Sequence, residues 1–357
     1  MRILLVSHPP LTRELGAAQI ALHLAAALRR RGHQAVAWSP EPLAASSHWQ
    51  VWRRQREALE SHVARDGAYD VVDTPAISAS PRLAELAPVV VRSVQPELRY
   101  LHAGVVDDLR RGPSPRAIVH LLAAIARARA IVAGWRTARR IVCLGTLERD
   151  RMVAKFPRWR DKIGVYFCAV STEERQVLLA LRRQRDRRPT PNGTRFLWLG
   201  RWSAQKGTAS LLAFLRARLA ACPADSVTIA GCGSHAQREI PAAWLAAGRV
   251  RLIPSYGRDE LPALLHEHQV GLFTSDVEGW GLSLAEMLEA GMPVYATRAG
   301  AVPDLAPYFP SSLHALPPPQ SLEPGPLEDL EDNGYLQRFD WNSIAVDYEA
   351  QVAAACR

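Results

Sequence analysis

The chain has 357 residues, 48% apolar and 22% charged, a balance that fits two globular domains and excludes disordered, collagen-like and coiled-coil readings. Its net charge of +9 is unevenly spread: residues 1–170 hold 26 basic and 14 acidic side chains, residues 171–357 hold 18 and 21. Only three of the 44 basic residues are lysines (Lys155, Lys162, Lys206), so the arginine content looks like a coding bias, and nucleic acid is the least favoured partner.

Ile3–Val6 is a short apolar run, expected as a strand buried on both faces of a parallel sheet and too short for a signal-peptide core. A loop with Pro9, Pro10 and Gly16 leads to a helix with Ile20, Leu24 and Leu28 at helical spacing. Arg29–Arg31 and Gly32 stop it. Gln34–Trp38 returns as a strand, which makes the first forty residues the β-loop-α-β unit of an open α/β sheet. Further strands are expected at 70–73, 88–92 and 141–144, with helical stretches such as 116–132 between them. Residues 181–195, LRRQRDRRPTPNGTR, read as a helix end running into an interdomain linker. The β-α pattern then restarts, with strands Phe196–Leu199, Val227–Ala230, Val250–Ile253, Val270–Thr274 and Pro293–Ala296. Residues 310–333 read as an irregular surface stretch, and 341–355 as a closing amphipathic helix. No run of 18 or more apolar residues occurs, so no membrane span is expected. Five cysteines without Cys-x-x-Cys spacing argue against a disulfide framework or structural zinc and fit reduced cytoplasmic thiols.

Two α/β sandwiches in tandem place the default ligand site at the carboxyl ends of their strands. In FLWLGRWSAQKG (196–207), a strand and Gly200 precede Arg201 and Lys206 at the entry to a helix. Two cations beside a helix N-terminus make an anion site, because free backbone N–H groups and the helix dipole add to their charge. In VGLFTSDVEGWGLSLAEMLEAGMPVYAT (270–297), Gly279 and Gly281 let the backbone approach a ligand closely, and a helix begins near Ser283. Glu278 and Glu286 stand eight residues apart and are candidates to face that ligand. Ser283-x-x-Glu286 equally fits a capping box in which Glu286 only satisfies a backbone donor.

Taken together, Gly200-Arg201 with Lys206-Gly207, Gly231-x-Gly233, Glu278-x7-Glu286 within EGWGLSLAE, and EAGMPVYATRAGAVPDL resemble the nucleotide-sugar-binding domain of GT-B glycosyltransferases, specifically the retaining glycosyltransferase family 4. The resemblance covers 196–305 and extends more loosely over the whole chain. It implies two Rossmann-like α/β/α domains facing each other across a cleft: residues 1–180 for the acceptor, a linker at 181–195, residues 196–335 for the donor, and 336–357 as a helix packing back on the first domain. It also implies that Arg201 and Lys206 hold the donor diphosphate as it leaves, that Glu278 contacts sugar hydroxyls and that Glu286 binds the ribose. Gly281 and Leu282 fall where N–H groups meet phosphate, with Gly200 and Gly279 beside them, and Ile253 and Pro254 fall near the base. Such enzymes usually need no metal or other cofactor.

The first half departs from that pattern. Gly16-Ala17, a candidate pair to contact the donor, stands where a Gly-Gly pair is common. VVVRSVQPEL (89–98) has Val94 and Gln95 where His-Gly is expected, and Cys168-Ala169-Val170-Ser171 replaces Asn-Gly-Val-Asp. Arg92, Gln95 and Glu97 are the acceptor-side candidates, with His102 and His120 less favoured. The expected function is transfer of a sugar from a nucleotide diphosphate donor to a glycan, lipid or small-molecule acceptor, in the cytoplasm and in peripheral contact with an anionic membrane. The alternative is a catalytically weakened protein that binds a nucleotide sugar or activates a partner transferase.

Overall fold

The computed structural model describes residues 1–12, 16–41, 48–110, 112, 114–185, 193–322 and 325–357. The chain divides into two compact units, residues 1–168 with 338–357, and residues 169–337.

The first unit holds six parallel strands, β1 (Arg2–Val6), β2 (Gln34–Trp38), β3 (Val71–Thr74), β4 (Val89–Arg92), β5 (Arg140–Leu144) and β6 (Ile163–Tyr166), in the order β2-β1-β3-β4-β5-β6. The Val/Ile/Leu runs of β3 and β4 are buried along their whole length, as a sheet covered on both faces requires. Strand β6, unforeseen in the sequence, is weakly patterned because Gly164 interrupts it. A methyl there would lie 2.1 Å from the amide oxygen of Gln351 on the last helix. That helix, Trp341–Cys356, starts where the Asp340 carboxylate accepts the N–H groups of Asn342 and Ser343. It packs within the first unit, with Trp341 stacked on His23 and Tyr348 edge-on to Tyr166.

Two more helices follow the sheet's interior strands, Glu97–Arg110 and Pro115–Thr137. Ala117–Thr137 is long and apolar enough, by length and composition, to cross a membrane, although no unbroken 18-residue apolar run occurs. Arg127 and Arg129 break the run, but the aliphatic residues around them keep its mean hydropathy high.

The second unit holds β7 (Arg195–Leu199), β8 (Ser226–Ala230), β9 (Val250–Ile253), β10 (Val270–Phe273), β11 (Val294–Ala296) and β12 (Leu313–Ala315), all parallel, in the order β12-β11-β10-β7-β8-β9. Phe196, Trp198, Leu211, Leu215, Val227 and Ile229 form its core. Strand β12 lies in the stretch expected to be irregular; three residues on a sheet edge leave no periodic signal. The helix Thr172–Gln184 also belongs here, so the first unit ends before residue 180. Its arginines explain the shift: Arg175 forks onto Glu289, at 2.9 and 3.0 Å, and Arg182 and Arg185 donate to the carbonyls of Leu288 and Ala290. Ser171 caps that helix by accepting the Glu174 N–H, the task an Asp performs equally well. Residues 186–192 of the expected linker lie outside the described residues.

Candidate functional site

In the second unit the strand order reverses between β7 and β10, and the loops leaving those two strands diverge there. Hydrogen bonds stitch the loops together: the N–H groups of Asp276 and Val277 donate to Gln205 O at 2.9 and 3.1 Å, and the Thr274 hydroxyl donates to Lys206 O at 2.8 Å. Trp198 Nε1 in turn donates to the Thr274 hydroxyl. Gly207 ends the short turn Ala204–Lys206 in the left-handed region, φ 68°, where a methyl would lie 1.7 Å from Thr274 O. Only glycine lets the two loops meet this closely.

That junction delivers Lys206 to Glu278. The ammonium and carboxylate form an ion pair, and the Ser275 hydroxyl donates to the same carboxylate oxygen at 3.1 Å. Gly281, φ 90°, turns the chain into the helix Leu282–Glu289, and no side chain caps that N-terminus. The Leu284 N–H donates to Gly281 O at 3.0 Å, which leaves the first two N–H groups, of Leu282 and Ser283, as the anion donors. A methyl at Gly281 would lie 2.7 Å from the Phe273 ring. Because Gly281 is the N-cap, Ser283 sits inside the helix and the capping-box alternative fails.

Glu286 is 2% exposed, and its Oε1 accepts the Arg258 guanidinium at 2.7 Å. Burial raises the Glu286 carboxyl, and Arg258 opposes that rise by charge and hydrogen bond. Arg258 also holds Glu174, at 2.7 Å. Burial, then the Glu286 charge, pushes the Tyr256 hydroxyl up to about 12. Arg258 and Tyr256 were not found from the sequence: both lie in the loop after β9, and only their place at a strand's carboxyl end pointed to them. Arg201 is exposed and makes no side-chain hydrogen bond or ion pair among the described residues. Gly200 donates its N–H to Ala230 O at 3.0 Å, and Ile253 is half-buried, its carbonyl accepting Gly231 N–H at 2.8 Å. Gly279 is buried and Leu282 half-buried.

In the first unit the order reverses between β1 and β3. There His8 Nε2 meets the Ser78 hydroxyl at 2.7 Å, and burial, with Arg127 nearby, lowers the His8 pKa to about 4. Arg92 does not serve an acceptor. Its side chain is 1% exposed and forks onto Asp73 at 2.9 and 3.0 Å, a buried ion pair inside the sheet. Gln95 and Val94 are half-buried after β4. Glu97 opens the helix Glu97–Arg110, and burial, then the Glu148 charge, pushes its carboxyl up to about 8. Glu148 accepts the Ser93 hydroxyl at 2.6 Å and Leu144 N–H at 2.8 Å, and burial pushes it up to about 7. His102 is exposed, and His120 pairs with Asp108 at 2.9 Å at the surface. Gly16 and Ala17 open the helix Gly16–Arg30. Among the described residues no group of three or more His, Cys, Asp or Glu side chains is placed to hold a metal ion.

Residues 193–308, which include the Lys206–Glu278 pair and Glu286, match the family described as Glycosyl transferases group 1. That stretch of the second unit is similar to the group 1 glycosyltransferases. Over 107 residues the chain is 32% identical to the GDP-mannose:cellobiosyl-diphosphopolyprenol alpha-mannosyltransferase of Xanthomonas oryzae pv. oryzae; the stretch spans 29% of this chain and 28% of that protein. Among solved structures, HepE of Anabaena in complex with UDP superposes with a TM-score of 0.55 at 15% identity, over 99% of this chain and 95% of that one. WaaG, a glycosyltransferase involved in lipopolysaccharide biosynthesis, superposes with a TM-score of 0.61 at 12% identity, over 99% and 93%. The fold around that stretch is GT-B, as the sequence motifs imply.

Proposed function

We propose that the chain transfers a sugar from a nucleotide diphosphate donor to an acceptor hydroxyl. The observation that carries this reading is the Lys206–Glu278 pair, set beside an uncapped helix N-terminus at the switch point of a unit similar to the group 1 glycosyltransferases. A departing nucleoside diphosphate gains negative charge, and preorganised cations and N–H dipoles stabilise it in the transition state. Lys206, Arg201 and the N–H groups of Leu282 and Ser283 supply them. Glu286, oriented by Arg258, accepts the ribose hydroxyls, and Glu278 meets the sugar. Gly279, Gly281 and Gly200 give the backbone its close approach, and Ile253 lines the base.

The anomeric C–O bond to phosphate breaks as the acceptor oxygen bonds to the same carbon, and the acceptor proton leaves with the phosphate. In this reading the transfer retains configuration and uses no metal. The mannosyltransferase relative is named for a diphosphopolyprenol acceptor, which supports a lipid-linked envelope acceptor on the first unit, near Gln95 and Glu97, with Gly16 and Ala17 approaching the donor. A cytoplasmic location against an anionic membrane belongs to the same reading. Val94, where a hydrogen-bonding His is expected, favours a second reading in which the chain binds the donor without transferring it.

The test incubates the purified chain with UDP-, GDP- and ADP-sugars, with and without lipid-linked glycans, and measures released nucleoside diphosphate. Release that depends on one donor and one acceptor supports transfer. Donor binding with no release against any acceptor leaves the second reading in its place.

A further inference from the structure

The helix Pro115–Thr137 buries its large side chains at one end, while at the other only Ala117 is buried. Ile131, Gly134 and Trp135 are buried, and a methyl at Gly134 would lie 1.8 Å from the carbonyl oxygen of Ala76, so backbone meets backbone there. The other end leaves the core. Ile118 and Val119 are each 62% exposed, Leu122 is 61% exposed, and Leu121 and Ile125 are also open. Leu109, at the end of the neighbouring helix, is 53% exposed. A soluble surface scatters such residues singly; a contiguous cluster marks a surface that something covers.

What covers it is written in the charges. The 23-residue helix carries Arg116, Arg127, Arg129 and Arg136 and no acidic residue. Ile118, Leu122, Ile125 and Arg129 follow one another at i, i+4, i+7 and i+11, so they share a face with the cation on the anchored side. The unit that presents this helix holds 28 basic and 17 acidic side chains, whereas the other unit holds 16 and 18. An apolar tip backed by arginines matches a bilayer with anionic headgroups: the tip enters the acyl boundary while the guanidinium groups stay at headgroup level.

Geometry excludes a crossing. The residues ahead of Ile131 extend about 24 Å at 1.5 Å each, short of the roughly 30 Å hydrocarbon core, and they include three arginines.

We propose that the exposed end of this helix, with Leu109 beside it, is the surface by which the chain lies on an anionic lipid bilayer. The proposal rests on the lipid-acceptor reading for its biological sense, but lipid contact is measured without donor or acceptor. The full chain is floated with vesicles of phosphatidylcholine alone or with about 30% phosphatidylglycerol, in low and high salt. The chain binds the anionic vesicles, and more weakly as salt rises. Ile118→Gln with Leu122→Gln lowers the partition coefficient by about tenfold, and Ile118→Trp raises it severalfold. Arg129→Gln weakens binding to anionic vesicles and leaves phosphatidylcholine unchanged.

These positions are exposed, and circular dichroism verifies that each variant folds. Absence of wild-type binding at low salt, or binding equal to wild type in both the apolar and the arginine variant, overturns the proposal. So does a wild-type dimer that Ile118→Gln with Leu122→Gln turns into a monomer while vesicle binding is absent; that result assigns the face to a second copy. Nucleotide titration of the same preparation separates the two readings: nucleotide binding without vesicle binding removes the lipid surface alone, and the reverse removes the donor site alone.

Discussion

Three carboxylates on or beside the helix Leu282–Glu289 of the second unit each have a cation. Glu278 has Lys206, Glu286 has Arg258, and Glu289 has Arg175. Glu97 and Glu148, at the strand ends of the first unit, make no ion pair among the described residues, and burial pushes them up to about 8 and about 7. His8 beside them stays neutral down to about pH 4. The second unit therefore presents cations and ion-paired carboxylates, which suit a diphosphate donor. The first presents side chains uncharged near neutral pH, a protonated Glu97 and a neutral His8, which suit a hydroxyl-rich ligand.

The sharpest way to break this contrast is to remove the charge. Lys206→Ala is expected to lower turnover by about 100- to 1,000-fold, or about 3–4 kcal/mol of transition-state stabilisation, measured as nucleoside diphosphate release. Arg201→Ala, with its exposed side chain, costs about tenfold. Equal, small effects from both would remove Lys206 from the reacting centre. Gly207→Ala tests the junction that positions it. A methyl at 1.7 Å from Thr274 O, in the left-handed region, is expected to cost about 3 kcal/mol and lower the second unit's melting temperature by several degrees. An unchanged melting curve would mean that the two loops are not held as described.

Both of those positions were legible in the sequence, and the reason is physical. Gly200, Gly207 and Gly281 mark places where backbone must turn or approach closely, and a lone lysine in an arginine-rich chain draws notice. The buried strands were legible as continuous apolar runs, except β6 and β12, which are too short or too interrupted to show a period. Arg92 misled because a charge after an apolar strand looks like a site residue until its partner, Asp73, is seen across the sheet. Arg258 was invisible because nothing in its loop tells which of several charges reaches Glu286, 28 residues away in sequence.

Arg258→Gln sharpens the contrast further. Without the guanidinium, burial alone sets the Glu286 carboxyl, which protonates at a higher pH. Affinity for a nucleoside diphosphate is expected to fall by about tenfold, or about 1.4 kcal/mol, and to fall further as pH is lowered. Arg258→Lys restores part of it; a loss independent of pH would make the role only structural. The smallest effect is expected in the first unit. Glu97 and Glu148 ionise at a higher pH when folded than when unfolded, so the folded state binds more protons and stability falls as pH rises from about 5 through 8. Glu148→Gln should flatten that decline by about 1 kcal/mol between pH 6 and pH 8, read from urea melts. A decline that persists in Glu97→Gln and Glu148→Gln alike would assign it elsewhere.

The most direct measurement is calorimetric titration of the full chain with UDP, GDP and ADP, compared with Glu286→Ala and Lys206→Ala. The account predicts binding of at least one nucleotide, weakened by about tenfold or more in each variant. No binding of any of the three, or equal affinity in both variants, would contradict a donor site built on Glu286 and Lys206.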